Sequence, residues 1–389
     1  MNVQRGGAER VNWVGNHLIN LAYAVALGMV TVMVPLFAVH SGYGIGAVGL
    51  LVSVSAVTQA VVRLGLGALM DRFSTRFLII TSCLMLMSCG LILGLADALW
   101  TFIAAQLMQG ISRAYFWTAT QTHVIRSSDT AVSAIATMNI INGVGSMVGP
   151  FIAGLIGGVS LRLVFLIAAM IAAGSIVPAM MLTRFPPFHR DRPTGAPATT
   201  LGRHLRPGVM AAAIMSAGGG AWRGALDSYI PVILTAAGLS VSLTGTLIAV
   251  ANFATMVGSA ASKFAKPLGD RACVVLGTAP AGLGLAAVAL LPVSPSAVAL
   301  FLFISGVGAG LLQTIGPAMA SDSVTDGERG RAIATNGVFR SFAMLLTPLS
   351  IGGLMLLLPS VGWSTAVLGV GMVTPAVLTA RRHQPRSDA

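Results

Sequence analysis

Apolar runs of about twenty residues or more, bounded by short polar, glycine- or arginine-containing breaks, follow one another along almost the whole chain. They lie near residues 12–38, 46–70, 77–97, 99–122, 132–157 and 161–183, then near 208–236, 241–263, 272–292, 296–320, 331–358 and 361–380. An α-helix rises 1.5 Å per residue, so roughly 20 apolar residues cross the hydrocarbon core of a bilayer. The runs are continuous rather than alternating. That predicts helices, because a barrel strand shows only every second side chain to lipid. Twelve membrane-spanning helices are expected. The first run, from Val11 to about Ala38, is longer than the ~7–15 residues of a signal-peptide core and has no small-residue cleavage site. It reads as a retained first helix.

Composition agrees with the pattern. Of 389 residues, 55% are hydrophobic and 9% charged, against about 25% charged in soluble globular chains. A soluble enzyme and a disordered chain are both excluded. The net charge of +12 is distributed as the positive-inside rule requires. With both termini cytoplasmic, eighteen Lys and Arg fall in inner loops and tails, and Arg162 alone falls in an outer loop. Arg63, Arg113, Arg223 and Arg340 fall within spans. The net charge therefore needs no nucleic-acid partner. Cys83, Cys89 and Cys273 lack paired spacing and read as packing thiols, and no two histidines have helical metal-ligand spacing. No nucleotide loop, nucleophile elbow or zinc signature is present. No metal, cofactor or enzymatic activity is expected.

The longest hydrophilic stretch, residues 183–207, carries five prolines and five arginines and reads as an extended linker. It divides the chain into a six-helix bundle over residues 1–183, a cytoplasmic linker over 184–207 and a second six-helix bundle over 208–389. The halves repeat. Ala134-Ile135-Ala136-Thr137 recurs as Ala332-Ile333-Ala334-Thr335, and at the same offset of 198 Pro150 falls on Pro348 and Gly154 on Gly352. At an offset of 196, Pro35, Gly42 and Gly49 fall on Pro231, Gly238 and Gly245. Parallel repeats of this kind are a transporter architecture.

Two motifs carry a family resemblance. The loop Gly67-Ala68-Leu69-Met70-Asp71-Arg72-Phe73-Ser74-Thr75-Arg76 resembles the G-x-L-a-D-r-x-G-r-r signature of the major facilitator superfamily, with Ser74 at the usual second glycine and Thr75 at a usual basic position. The resemblance implies a conformational latch of Gly67, Asp71, Arg72 and Arg76. In the second half Phe264-Ala265-Lys266-Pro267-Leu268-Gly269-Asp270-Arg271 has Lys266 in place of the acid. Gly145-Ser146-Met147-Val148-Gly149-Pro150-Phe151-Ile152-Ala153-Gly154 resembles the g-x-x-x-G-P-x-x-G-G motif of the exporting, antiporter branches, carried by Gly145, Gly149, Pro150 and Gly154. Helix 4 departs from the family: Gln106 stands where arginine is usual, and Arg113 appears two turns on.

An ionisable group in a span costs about 2.5–3.5 kcal/mol on insertion scales and needs an explanation. Arg63 and Arg340 lie near the inner surface and read as bracing. Arg223 and Asp227, four apart on one helix face, form either a structural salt bridge or the proton-coupling pair. The family's helices 1, 4, 7 and 10 line a central cavity, which implies Asn16, Asn20, Tyr23, Gln109, Arg113, Trp117, Trp222 and Gln313 as substrate contacts. Interhelical hydrogen bonding accounts for any one of them equally well. Arg113 and Arg223 against Asp227 leave a net positive cavity that favours anionic, zwitterionic or neutral amphiphiles, and His17 is a second titratable candidate. The expected function is export of a small amphipathic compound in exchange for protons by alternating access, by a monomer in a bacterial inner membrane. Symport of an organic anion, lipid flipping and a membrane sensor are the alternatives.

Overall fold

The computed structural model describes residues 2–96, 98–127, 131–186, 207–291, 294–323 and 329–381, and helix is the only regular structure among them. The first half contains α1 (Asn2–His40), α2 (Ile45–Met70), α3 (Thr75–Leu95), α4 (Leu99–Arg126), α5 (Ala131–Gly157), α6 (Leu161–Gly174) and α7 (Ile176–Met181). The second contains α8 (Pro207–Ser228), α9 (Ile230–Ala236), α10 (Val241–Ala265), α11 (Asp270–Leu290), α12 (Pro295–Asp322), α13 (Arg329–Leu354), α14 (Val361–Gly371) and α15 (Thr374–Arg381).

Three expected spans are jointed, as α6–α7, α8–α9 and α14–α15. Proline explains the joints. It has no N–H for the carbonyl four residues back, and Pro178 and Pro375 stand four residues after Gly174 and Gly371, where α6 and α14 end. Pro231 likewise opens α9 directly after α8 ends at Ser228. Taking each jointed pair as one gives twelve long helical segments among the described residues, consistent with the twelve expected. Ten stretches among the described residues are long and apolar enough to cross a membrane. The other two traverses are α4 and the one led by α8, which carry Arg113 and the Arg223, Asp227 pair.

The repeat extends to backbone detail. Gly42 and Gly238 both adopt φ +87°, the left-handed conformation that glycine accepts without a Cβ clash. In each, the following residue donates back across the turn: Tyr43 N–H to the Ala38 carbonyl at 3.1 Å and Leu239 N–H to the Leu234 carbonyl at 3.1 Å. This is the six-to-one bond of a Schellman cap, made at both repeat-related positions.

The chain divides into two compact units. The first holds residues 1–43, 51–194 and 240–249. In it α1 packs on α5, α6 and α7, and α3 packs on α4 and α6. Lipid tails are as apolar as leucine, so helices in a bilayer associate by close packing, and small residues permit it. A Cβ added at Gly145 would stand 2.5 Å from Ala24 Cβ, and one at Gly149 would stand 2.5 Å from the Val25 carbonyl oxygen. The Gly-Pro motif of α5 is therefore seated directly on the backbone of α1. Gly154 meets the opening turn of α10, its added Cβ 2.8 Å from the Ser242 carbonyl oxygen.

The second unit holds residues 44–50, 195–239 and 250–389. Here α8 packs on α13 and α12, and α11 packs on α12 and α14. Gly220 lies against the backbone of Arg340, and a Cβ at Gly224 would stand 2.8 Å from the Met344 carbonyl oxygen. Residues 44–50, the opening turn of α2, also belong to this unit. A Cβ at Gly49 would lie 2.5 Å from Tyr229 Oη and 2.6 Å from the Pro348 carbonyl oxygen.

Overpacking a close contact costs roughly 1–3 kcal/mol. Gly149→Val is expected to lower the melting temperature of the detergent-purified protein and its folded yield. Gly174→Ala, where an added Cβ meets nothing within 4 Å, is expected to leave both unchanged. Fluorescence-detected size-exclusion thermostability checks the pair.

Candidate functional site

In the second unit α8 presents Arg223 and Asp227 one turn apart. Arg223 Nε donates to Asp227 Oδ2 at 2.9 Å, and Arg223 Nη1 donates to Asn252 Oδ1 of α10 at 2.7 Å. Asp227 is 6% exposed, and Arg223 is its ion-pair partner among the described residues. Asn252 was absent from the residues expected from sequence. The signal that could have found it is a lone amide inside an otherwise apolar run. The guanidinium thus bridges two helices, with a charged acceptor on its own and a neutral one on the other.

Trp222 and Tyr23, expected as cavity contacts, each bond to a serine of a neighbouring helix. Trp222 is fully buried, and its indole N–H donates to Ser305 Oγ of α12 at 2.8 Å. Ser305 Oγ in turn donates to the Ala281 carbonyl of α11 at 2.8 Å, so the indole anchors α8 to two neighbours. Tyr23 is equally buried, its hydroxyl 2.7 Å from Ser112 Oγ and its ring stacked on Phe116 at 3.5 Å and 5°. Both polar tips are spent on packing partners, which sequence periodicity cannot distinguish from a wall facing a solute.

The remaining expected contacts divide between the units. In the first, Gln109 Nε2 donates to Thr31 Oγ1 at 3.2 Å, and Asn20 Nδ2 donates to the Asn16 carbonyl at 2.7 Å. Arg113 is half-buried, and Trp117 stands edge-on to Phe116 at 5.9 Å. His17 rests on its own helix, with Nδ1 2.6 Å from the Trp13 carbonyl oxygen. In the second, Gln313 Oε1 accepts from Arg340 Nη2 at 3.2 Å, giving Arg340 a partner on α12. An apolar pocket of about 390 Å³, lined by Ala217, Gly218, Ala221, Thr278 and Met372 among others, has no ionisable lining residue.

Of the expected latch, Asp71 and Arg72 are exposed in the turn after α2, and Arg76 Nη1 donates to the Leu182 carbonyl at 3.3 Å. No ion pair joins Asp71 to Arg72 or Arg76 among the described residues. Gly67 lies within α2, and its surroundings fall outside the described residues. In the repeat-related loop Lys266 pairs with Asp322 at 2.6 Å, so the substituted lysine finds an acid at the end of α12.

A neutral network that sequence gave no sign of lies at the same end of the first unit, past the apolar part of α4. His123 is fully buried, with Nε2 3.1 Å from Asn12 Oδ1 and Nδ1 3.1 Å from Thr75 Oγ1. Asn12 Oδ1 also accepts from the Thr183 N–H at 2.8 Å. An acceptor at Asn12 assigns the ring proton to Nε2 and leaves Nδ1 to accept from the threonine hydroxyl. The Phe185 ring lies 5.0 Å from His123, and Arg126 lies over Phe185 while donating to the Pro186 carbonyl at 2.9 Å. Burial, helped by the Arg126 charge, pushes the His123 imidazole down to about 4.

A histidine whose folded pKa is depressed contributes stability that is present above its unfolded value of about 6.5 and is lost as pH falls towards the folded one. The protein is expected to lose thermal stability between about pH 6.5 and pH 4, and His123→Gln is expected to flatten that loss. Melting curves of the two proteins across this range check it. Parallel curves would assign the acid sensitivity to other groups.

The sequence profile of the Major Facilitator Superfamily matches residues 17–348 and, in a second match, 264–388. The tetracycline resistance protein, class C, of Escherichia coli is 26% identical over 350 residues, covering 84% of this chain and 85% of that protein. Among solved structures the fold is similar to the nucleoside transporter NupG, with a TM-score of 0.80 at 13% identity over 96% of this chain and 100% of that one. It is also similar to a POT family transporter in complex with 5-aminolevulinic acid, with a TM-score of 0.75 at 13% identity and 95% of each chain covered.

Proposed function

The chain belongs to the major facilitator superfamily and is an integral membrane transporter, not an enzyme, and we propose that it exports a small amphipathic compound in exchange for protons. Two six-helix halves, joined by the linker on the cytoplasmic side of a bacterial inner membrane, alternate access to the substrate. The observation that carries the reading is the Arg223, Asp227 and Asn252 cluster. Asp227 is the carboxylate of the deeply placed charges, and as a carboxylate it neutralises Arg223. On protonation it becomes a poor partner for the guanidinium, which keeps Asn252 as its neutral acceptor. One proton thus changes which helix holds Arg223, α8 and α10 together or α10 alone. A charge-dependent exchange of this kind couples protonation to helix movement.

Export is favoured over uptake by two features. The α5 motif that resembles the antiporter branches sits backbone to backbone on α1, and the relative with the higher identity is named for tetracycline resistance. The nucleoside and POT family neighbours bear on fold alone at their 13% identity.

The test is proton movement in proteoliposomes holding an imposed pH gradient, with anionic, zwitterionic and cationic amphiphiles added in turn. Substrate-triggered dissipation is expected in the wild type and is expected to fall at least about tenfold in Asp227→Asn, the change that removes the titrating group while keeping its shape. Dissipation that persists in Asp227→Asn would move the proton site to another residue. Proton entry together with the substrate would replace antiport by symport.

A further inference from the structure

The chain leaves α7 through residues 182–186, and contacts from three helices hold that stretch against one end of the first unit. Leu182 is buried beside Gly15 of α1, where an added Cβ would stand 3.7 Å from Leu182 Cδ2, and its carbonyl accepts from Arg76 of α3 at 3.3 Å. Thr183 N–H donates to Asn12 Oδ1 of α1 at 2.8 Å. The Phe185 ring lies 5.0 Å from that of His123. Arg126 of α4 overlies Phe185 at 4.8 Å and donates to the Pro186 carbonyl at 2.9 Å. Leu182 is packed, whereas Thr183, Arg184 and Pro186 are exposed. Beyond Leu182 the stretch is therefore a strap laid over helix ends, held by hydrogen bonds and one aromatic ring.

The strap lies on a histidine that is wired to be neutral. Asn12 Oδ1 has two lone pairs, and His123 Nε2–H and the Thr183 N–H take both. Nδ1 is the one ring position left for a proton, and it accepts from the Thr75 hydroxyl. A proton there sets a donor against a donor and places a charge on a fully buried ring. The charged groups of the surrounding elements do not offset it. Arg76 on α3, Arg126 on α4 and Arg184 in the strap are all cations. On α1, His17 rests on the Trp13 carbonyl, and Glu9 and Arg10, of opposite charge, precede Asn12 with side chains outside the described residues. Asp71, in the turn before α3, is exposed and joins no ion pair among the described residues. Phe185 already carries the Arg126 guanidinium, so a charged imidazole would put two cations on one ring.

We propose that residues 183–186 are an acid-released strap, closed over neutral His123 and freed when His123 takes up a proton and turns to water. Burial and the Arg126 charge hold the closed imidazole near 4, while an opened one returns to about 6.5. The closed-to-open ratio therefore falls about tenfold for each pH unit across that interval and is unaffected above it. Local opening of this kind needs no unfolding of the helices beneath. The strap leads directly into the linker between the two halves, and four freed residues add about 13 Å of extended chain to that connection. In the antiport reading, protons are delivered on the side where the linker is taken to lie, so transport that acidifies that side lengthens its own tether. Release itself does not rest on that reading, because it is an equilibrium of the protein without substrate or gradient.

The test is hydrogen–deuterium exchange, read by mass spectrometry, of the full-length protein in nanodiscs at pH 7.5, 6.5 and 5.5, with labelling times scaled to the intrinsic exchange rate at each pH. In wild type, protection of the peptide covering residues 182–186 is expected to hold from pH 7.5 to 6.5 and to fall about tenfold by pH 5.5. Peptides covering the α1 and α5 contact at Gly145 and Gly149 are expected to keep theirs. His123→Gln, which stays neutral, is expected to remove the acid step. Asn12→Ala, which lacks the shared acceptor, is expected to leave the strap unprotected at every pH. Three results overturn the proposal: wild-type protection that persists at pH 5.5, the same acid step in His123→Gln, or loss of protection at the α1 and α5 contact in parallel with the strap. The wild-type series decides the first and third of these without any variant. Loss of proton exchange in Asp227→Asn with the strap's acid step intact would concern coupling alone.

Discussion

Helices in hydrocarbon gain nothing from burying leucine against leucine, so they must fit. The seat of α5 on α1 is the plainest instance. Gly145 and Gly149 bring the two backbones within reach, with Pro150 packed against Gly28, whose added Cβ would lie 2.9 Å from Pro150 Cδ. Contacts of the same type recur through both units, at Gly90 against Phe165, Gly224 against Met344 and Gly282 against Gly369. Polar side chains are then added on a frame that already holds. Tyr23 on Ser112 ties α1 to α4, and Trp222 on Ser305 ties α8 to α12, where Gly316 already lies against Ser216.

The charged residues depend on the same frame, and the two units use it differently. In the second, a guanidinium, a carboxylate and an amide satisfy one another across α8 and α10. In the first, Gly110 holds α4 against α2, its added Cβ 2.5 Å from the Ser55 carbonyl oxygen.

Much of the architecture was legible in the chain itself. Helical traverses follow from run length, and the repeat seen at Gly42 and Gly238 became a pair of identical caps. The joints were written in the sequence too, in Pro178 and Pro375, but a hydropathy run averages across a break that hydrogen bonding does not. The site was less legible, for a physical reason. A tyrosine or tryptophan at helical spacing carries the same pattern whether its polar tip meets a solute or a neighbouring serine, and only the neighbour's position decides. Pairings between distant helices, such as Arg223 with Asn252 or His123 with Asn12, are not named by local sequence: a lone amide in an apolar run marks Asn252 as unusual without saying which residue it meets.

The joints at Gly174 and Gly371 are bordered by exposed apolar side chains. Met170, Val177, Met180 and Met181 are exposed on α6 and α7, as are Val370, Val377 and Leu378 on α14 and α15. A rigid rod that is too long for its bilayer must tilt as a whole and drag its packing partners with it. A rod with a hinge near one end can lean only its short terminal piece, leaving the long piece seated. The last traverse of each half therefore works as a compliant fender between a stiff bundle and a membrane whose thickness varies with its lipids, so that a thicker or thinner bilayer deforms the rim and spares the interior.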